Sequence, residues 1–253
     1  MRIVAWNCHM AFHAKHPLVD SLNPDIAVIS ECACPEILAA KAPEFVAGLG
    51  AKAIAWVGTN PNKGLGVFAY NGLTLKHLGP VEPTHKWFLP VRVSGPGRRP
   101  GTAFDLMAVW SFHYFPEIAR TLRTNLVEMA LSATPELGAC RPLVVAGDFN
   151  NHTKWDRKNK ATNFANVLEY LTDRGLISAY HHWHECAVGE EAHVTHFWRD
   201  WRKDSPHNCH IDYVFLPQDW AGRMTEFALG SYEDWTGTRV SDHVPLVVDV
   251  AVR

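Results

Sequence analysis

Acidic, amide and imidazole side chains stand at the ends of several apolar runs in this chain. The run 2–6 ends at Asn7, and 26–30 ends at Glu31. The run from Met107 leads to His113, and 142–147 runs into Asp148-Phe149-Asn150. His210-Ile211-Asp212 opens the run that starts at Tyr213, and Ser241-Asp242-His243 precedes Val244-Pro-Leu-Val-Val. Strands of packed sheets share a rim, so polar residues at their ends can converge. Brought together there, Glu31, Asp148, Asp212 and Asp242 would resist joint ionisation. A divalent cation removes that conflict, and oxygen ligands suit a hard ion such as Mg²⁺ or Mn²⁺. Taken singly, each position also has a local explanation. Asp148 and Asn150 could serve an Asx turn, Glu31 could be a solvated carboxylate, and His113 a satisfied core imidazole. Their joint occurrence argues for a site.

The elements that must position these residues can be sketched from patterning. Of the 253 residues, 47% are apolar and 20% charged, which supports a large core and argues against disorder. No apolar run approaches the ~20 residues that span a bilayer, so no membrane role is expected. The opening residues read as a strand, with no room for a cleavable leader. The six cysteines are read as reduced thiols, and the expected location is the cytoplasm. A net charge of −2 leaves any polyanion contact local, and no obligate protein partner is implied. Strand patterns fall at 2–7, 26–31, 53–57, 65–70, 73–78, 87–93, 103–111, 142–147, 176–181, 194–198, 210–216, 224–232 and 244–251. Helical spacing covers 17–22, 116–132 and 162–173. Asn71-Gly72 signals a tight hairpin, and 95–101 reads as a hairpin tip. The whole chain, 1–253, is expected to form one domain with sheets covered by helices.

With Asn7, Glu31, Gly147-Asp148-Phe149-Asn150, His210-Ile211-Asp212-Tyr213 and Ser241-Asp242-His243 in this order, the chain resembles the endonuclease/exonuclease/phosphatase superfamily. The resemblance runs from Asn7 to His243. It implies an α/β fold: a four-layer sandwich of two mainly antiparallel or mixed β-sheets face to face, with helices outside and the site at one end. It also implies a metal-dependent hydrolase, in which water attacks a phosphodiester in line. Glu31 would be the principal ligand of Mg²⁺ (or Mn²⁺), helped by Asn7 and Asp242. Asp148 would orient or deprotonate the water, and Asn150 would hold the phosphate or that water. His243 would contact the phosphate with Asp212 fixing its imidazole, and His113 would face the phosphate as in deoxyribonuclease I. Ser30 stands before Glu31, where exonuclease III-like repair enzymes usually carry Gln.

The substrate expected from this resemblance is nucleic acid, DNA in the first place. The alternatives are a small or protein-linked phosphoester, or an abasic site. Thr195-His-Phe-Trp-Arg-Asp-Trp201 resembles the aromatic segment that abasic-site endonucleases carry before the same motif. Phe197 and Trp198 could therefore line a sugar pocket or stack on a base, or equally be core aromatics. Lys154 and Arg157, beside Trp155 and Lys158, could track a phosphate backbone or form a solvated loop. Fifteen histidines, three of them at His181, His182 and His184, raise a transition-metal alternative that lacks ligand-pair spacing.

Overall fold

The computed structural model describes residues 1–79, 87–95, 103–111, 130–158 and 163–251. Among the described residues, twelve strands form two six-stranded sheets. The first sheet contains β1 (Arg2–Asn7), β2 (Ile26–Cys32), β3 (Ile54–Asn60), β4 (Lys63–Ala69), β11 (Met224–Leu229) and β12 (Leu246–Val250), in the order β11-β12-β1-β2-β4-β3. The second contains β5 (Thr74–His77), β6 (Phe88–Ser94), β7 (Phe104–Trp110), β8 (Leu143–Asp148), β9 (Leu176–Ser178) and β10 (Asp212–Pro217), in the order β5-β6-β7-β8-β10-β9. Pairing is antiparallel except between β1 and β2 and between β7 and β8, so both sheets are mixed.

Alternation along the strands explains the layering. In β1, Ile3 and Ala5 face the core between the sheets, while Val4 and Trp6 face outward. In β7 and β8, Leu106, Ala108, Val144 and Ala146 join that inner core, and Met107, Val109 and Val145 face outward. Both faces are buried, which is why these strands read as unbroken apolar runs. Helices α1 (Phe12–Asp20), α2 (Pro35–Lys41) and α3 (Pro43–Leu49) cover the outer face of the first sheet through Phe12, Val19, Leu38 and Phe45. Helix α4 (Phe164–Asp173) covers the second through Phe164, Val167 and Leu171. This is the expected sandwich.

Several elements differ from the sequence expectation. Asn71 and Gly72 do form a primed turn, both with positive φ and with Leu73 N donating to Tyr70 O at 3.0 Å. The turn passes the chain from β4 to β5, in different sheets, so it is a crossover and not a hairpin. Helices α2 and α3 carry no long periodic stripe, and their prolines read as breakers. In the structure Pro35 and Pro43 occupy first-turn positions, where a missing N–H costs nothing. The run at 176–181 is a strand only to Ser178, and helix α5 (Ala179–His184) takes over. The run at 194–198 makes only isolated bridges from His196 to Cys209 and His243. The run at 224–232 stops at Leu229 and turns into a wide helical turn at Tyr232–Thr236. The helix expected at 17–22 starts earlier, at Phe12, and holds Pro17 inside it. Strands β6 and β7 pair as the expected hairpin; its connection 96–102 lies outside the described residues, as does most of the helix expected at 116–132. No helix among the described residues is long and apolar enough to cross a membrane.

Candidate active site

At one rim β1, β2 and β8 end while β10 begins, and the polar residues gather there. The pairing of β8 with β10 sets Asp148 directly opposite Asp212. Asn7, at the end of β1, reaches across the sandwich and donates from Nδ2 to Asp148 Oδ2 at 2.9 Å, with Glu31 Oε1 at 3.5 Å. Glu31 sits at a bulge where β2 meets β4, with φ 60°. A left-handed glutamate costs roughly 1–2 kcal/mol, and the bulge is what turns its carboxylate to the rim.

His243 is brought to Asp212 by the segment between them. Thr195 accepts at Oγ1 from the amides of Ile211 (3.0 Å) and Asp212 (3.1 Å), and its carbonyl accepts from Val244 N at 2.9 Å. Trp6 Nε1 donates to His243 O at 3.0 Å. Asp212 Oδ2 lies 2.8 Å from His243 Nδ1. Asp212 is 1% exposed and His243 3%. Burial alone would lower the imidazole pKa, but the charge and hydrogen bond of Asp212, with Asp148 and Asp242 beyond, raise it to about 10. The Asp148 carboxyl is pushed up as well, to about 7, by burial and by the charge of Asp212. Asn150, with φ 48°, donates from its backbone and from Nδ2 to the two Asp148 oxygens at 2.8 and 2.9 Å.

Asp242 lies on the other side of His243. It takes His9 Nδ1 at 3.2 Å and His196 Nε2 at 3.7 Å. Burial opposes its ionisation, yet His196, His9 and His243 together hold the carboxyl well below the usual range. His196 packs against His243 with ring centroids 4.4 Å apart and the planes tilted by 31°. The His9 loop is strained: His9, Met10 and Ala11 all have left-handed backbones, and Lys15 Nζ binds the carbonyls of Cys8 (2.7 Å) and His9 (3.2 Å).

Among the described residues, two groups bring three acidic or imidazole ligand atoms mutually within 4.8 Å: Asp148–Asp212–His243 and His196–Asp242–His243. Glu31 belongs to neither. It stands instead beside Asn7 and 3.3 Å from Lys63 Nζ. The residues expected as a single ligand set are therefore divided, with Asp242 among histidines and Glu31 with the amide. The donor chemistry still fits a hard divalent ion. Glu31 and Asn7 offer oxygens, and Asp212 Oδ1 is a buried carboxylate oxygen with no hydrogen-bond partner.

The remaining expected residues fall as follows. His113 lies outside the described residues. Phe197 is 4% exposed and packs on Tyr232 within the outer core of the first sheet, so of its two readings the structure bears out the core aromatic and corrects the substrate contact. Trp198 is 46% exposed, with its ring edge-on to His196. Lys154 is exposed, and its ammonium reaches Asn208 O at 3.0 Å; Arg157 is exposed. Sequence reasoning missed Lys63, His9 and His196. Lys63 and His9 carry no motif signal, whereas His196 stands inside the aromatic segment and was passed over as part of it. Of the histidines behind the transition-metal alternative, His181 lies 2.8 Å from Ser178 Oγ and 2.9 Å from Glu191 Oε1, and neither three-ligand group among the described residues includes His181, His182 or His184.

No family model matches the sequence, and no curated protein matches it. Solved structures match it closely in shape. The 3′ phosphatase NExo from Neisseria, bound to a product DNA hairpin, superposes with a TM-score of 0.69 at 18% identity, covering all of both chains. An AP endonuclease from Archaeoglobus fulgidus gives 0.68 at 16% identity, also over the full length of both. An endonuclease/exonuclease/phosphatase protein from Beutenbergia cavernae gives 0.66 at 19% identity, over 99% of this chain and 71% of that one. The fold is the one these solved structures share. In that fold the rim holding Asn7, Glu31, Asp148, Asp212 and His243 is the end at which the sheets' polar strand ends meet.

Proposed function

We propose that this chain is a metal-dependent phosphodiesterase that cleaves DNA. The observation that carries the reading is the buried Asp148–Asp212–His243 group joined to Glu31 through Asn7. Two opposed protonation states sit within reach of one phosphate: a carboxyl raised toward neutrality and an imidazole raised well above it. The 3′ phosphatase and the AP endonuclease named above share the fold and support a DNA phosphoester as substrate.

The residues divide the work. Asp148, with a pKa near 7, is matched to accept or orient a proton of the attacking water at working pH. Asn150 and Asn7 hold both of its oxygens, which fixes the direction in which it can accept. Asp212 holds His243 through Nδ1, so the protonated ring has Nε2–H left to donate to a phosphate oxygen. Glu31 and Asn7 would hold Mg²⁺ or Mn²⁺, which when bound supplies charge neutralisation at the phosphate. Lys63 beside Glu31 adds a fixed cation to the same mouth. His113 is proposed to face the phosphate, and Trp198 to meet the substrate's sugar or base. The six thiols suit a cytoplasmic setting.

The test is cleavage of labelled DNA as single strand, duplex and duplex with one abasic site, with Mg²⁺, with Mn²⁺ and with chelator. Metal-dependent cutting that is absent from Asp148→Asn is the expected result. Hydrolysis of a small chromogenic diester without cleavage of any DNA would instead make this a small-phosphoester enzyme. Preference for the abasic duplex would make it a repair endonuclease.

A further inference from the structure

Directly after Asn150 the chain makes a single helical turn, Thr153–Trp155, and presents Trp155 to solvent at 45% exposure. The turn is anchored from below. His152 Nδ1 accepts from Lys154 N at 2.9 Å, and His152 Nε2 lies 3.2 Å from Glu191 Oε2. The other Glu191 oxygen lies 2.9 Å from His181 Nε2, and Gly189 N donates to both oxygens at 3.0 Å. The Glu191 side chain is only 2% exposed. On the far side of the turn, Asp156 accepts from the amides of Phe164 and Ala165 at 2.6 and 3.0 Å. A solvated loop needs no buried carboxylate clamp at one end and a helix-capping carboxylate at the other. This turn is built to hold its indole still.

The surroundings of the indole are cationic. Lys154 Nζ lies over one face, 5.7 Å from the ring centroid, and it ties the turn to Asn208 O. Asn208 in turn accepts from Trp198 N at 3.0 Å, so the turn is bonded to the loop that borders His196 and His243. Arg157 and Lys158 follow, both exposed. A rigid aromatic plate set among cations has the two elements that recognise unpaired nucleotides: a π-face for the base and positive charge for the backbone. A paired base already has its faces covered by its neighbours in the stack, so the plate selects a base that is not in a duplex.

We propose that Trp155 is a stacking platform for an unpaired nucleotide next to the scissile phosphate, so that the preferred substrate is single-stranded or frayed DNA. This rests on the DNA-cleaving reading above and narrows it. Glu191, through His152, is the positioning residue that keeps the platform in place.

The test measures binding of a short single-stranded oligonucleotide and of the matching blunt duplex by fluorescence anisotropy, on an Asp148→Asn background that does not cut. Trp155→Ala should weaken single-strand binding about tenfold or more and change duplex binding less than twofold. Trp155→Phe, which keeps a ring, should recover most of the loss. Single-strand binding unchanged in Trp155→Ala, or lost equally for both DNA forms, overturns the platform and leaves the DNA-cleaving reading intact. A wild-type protein that cuts the small diester but no DNA overturns that reading, and the platform with it.

Discussion

Asp212, 2.8 Å from His243 Nδ1 in a buried site, raises the pKa of the imidazole and favours its protonated form. Replacing Asp212 by Asn should remove most of that support, so the ring would lose its proton at a lower pH. The expected result is a drop in turnover of about a hundredfold, with the alkaline limb of the pH–rate profile shifted downward. An unchanged limb would show that the ring's proton takes no part. Glu31→Gln, which keeps shape and removes charge, should weaken Mn²⁺ binding read by electron paramagnetic resonance. Equal affinity in the two proteins would show that Glu31 is not a ligand. At this scale the acids and amides were legible because each ends an apolar run, and an acid there has few uses. Lys63 was not legible, since nothing in Asn60-Pro-Asn-Lys63 marks its ammonium as a neighbour of Glu31; only the β2–β4 pairing makes it one.

The catalytic geometry depends on how closely β7 and β8 approach. Gly147 has φ +137°, and a Cβ on it would lie 2.0 Å from Val109 O. Gly147→Ala must therefore push β8 away from β7, and Asp148 with it. Destabilisation of about 2–4 kcal/mol in urea unfolding is expected, with loss of cleavage in the fraction that still folds. Wild-type stability would mean that the strands tolerate the added methyl. Strands of this kind were the most legible elements, since burial on both faces writes itself as an unbroken apolar run. What patterning could not supply was partnership. The Asn71-Gly72 turn has the dihedral preferences of a hairpin, and it forms that turn, but local turn chemistry does not decide which sheet receives the next strand. Helices α2 and α3 escaped notice because seven residues are too few to show a period.

Across the whole molecule the rim concentrates buried charge, and its proton balance feeds into stability. The pKa of Asp148 is raised from 3.8 to about 7 in the folded state. The folded protein therefore holds a proton there that the unfolded chain has released, and stability from this group is present below pH 4 and lost as pH rises to 7. Other groups, Asp242 among them, act with the opposite sign, so the difference between proteins is the clean observable. The Tm of metal-free wild type minus that of Asp148→Asn should fall as pH rises from 4 to 7. A flat difference would show that Asp148 titrates normally. Patterning alone made the architecture legible only as sheets covered by helices; the four-layer sandwich is what the family resemblance of the ordered motifs implies.

The placement of β1 between β2 and β12 has a consequence for how the protein is made. The ribosome delivers Asp242 and His243 more than two hundred residues after Asn7 and Glu31, at a rate of about 5–20 residues per second. Until β12 emerges, one edge of β1 has no neighbour and the imidazole that would hold the phosphate does not yet exist. A nascent chain thus carries an unsatisfied strand edge and an incomplete candidate site. The site is completed in the same step that sets β12 beside β1 and joins β11 to the first sheet.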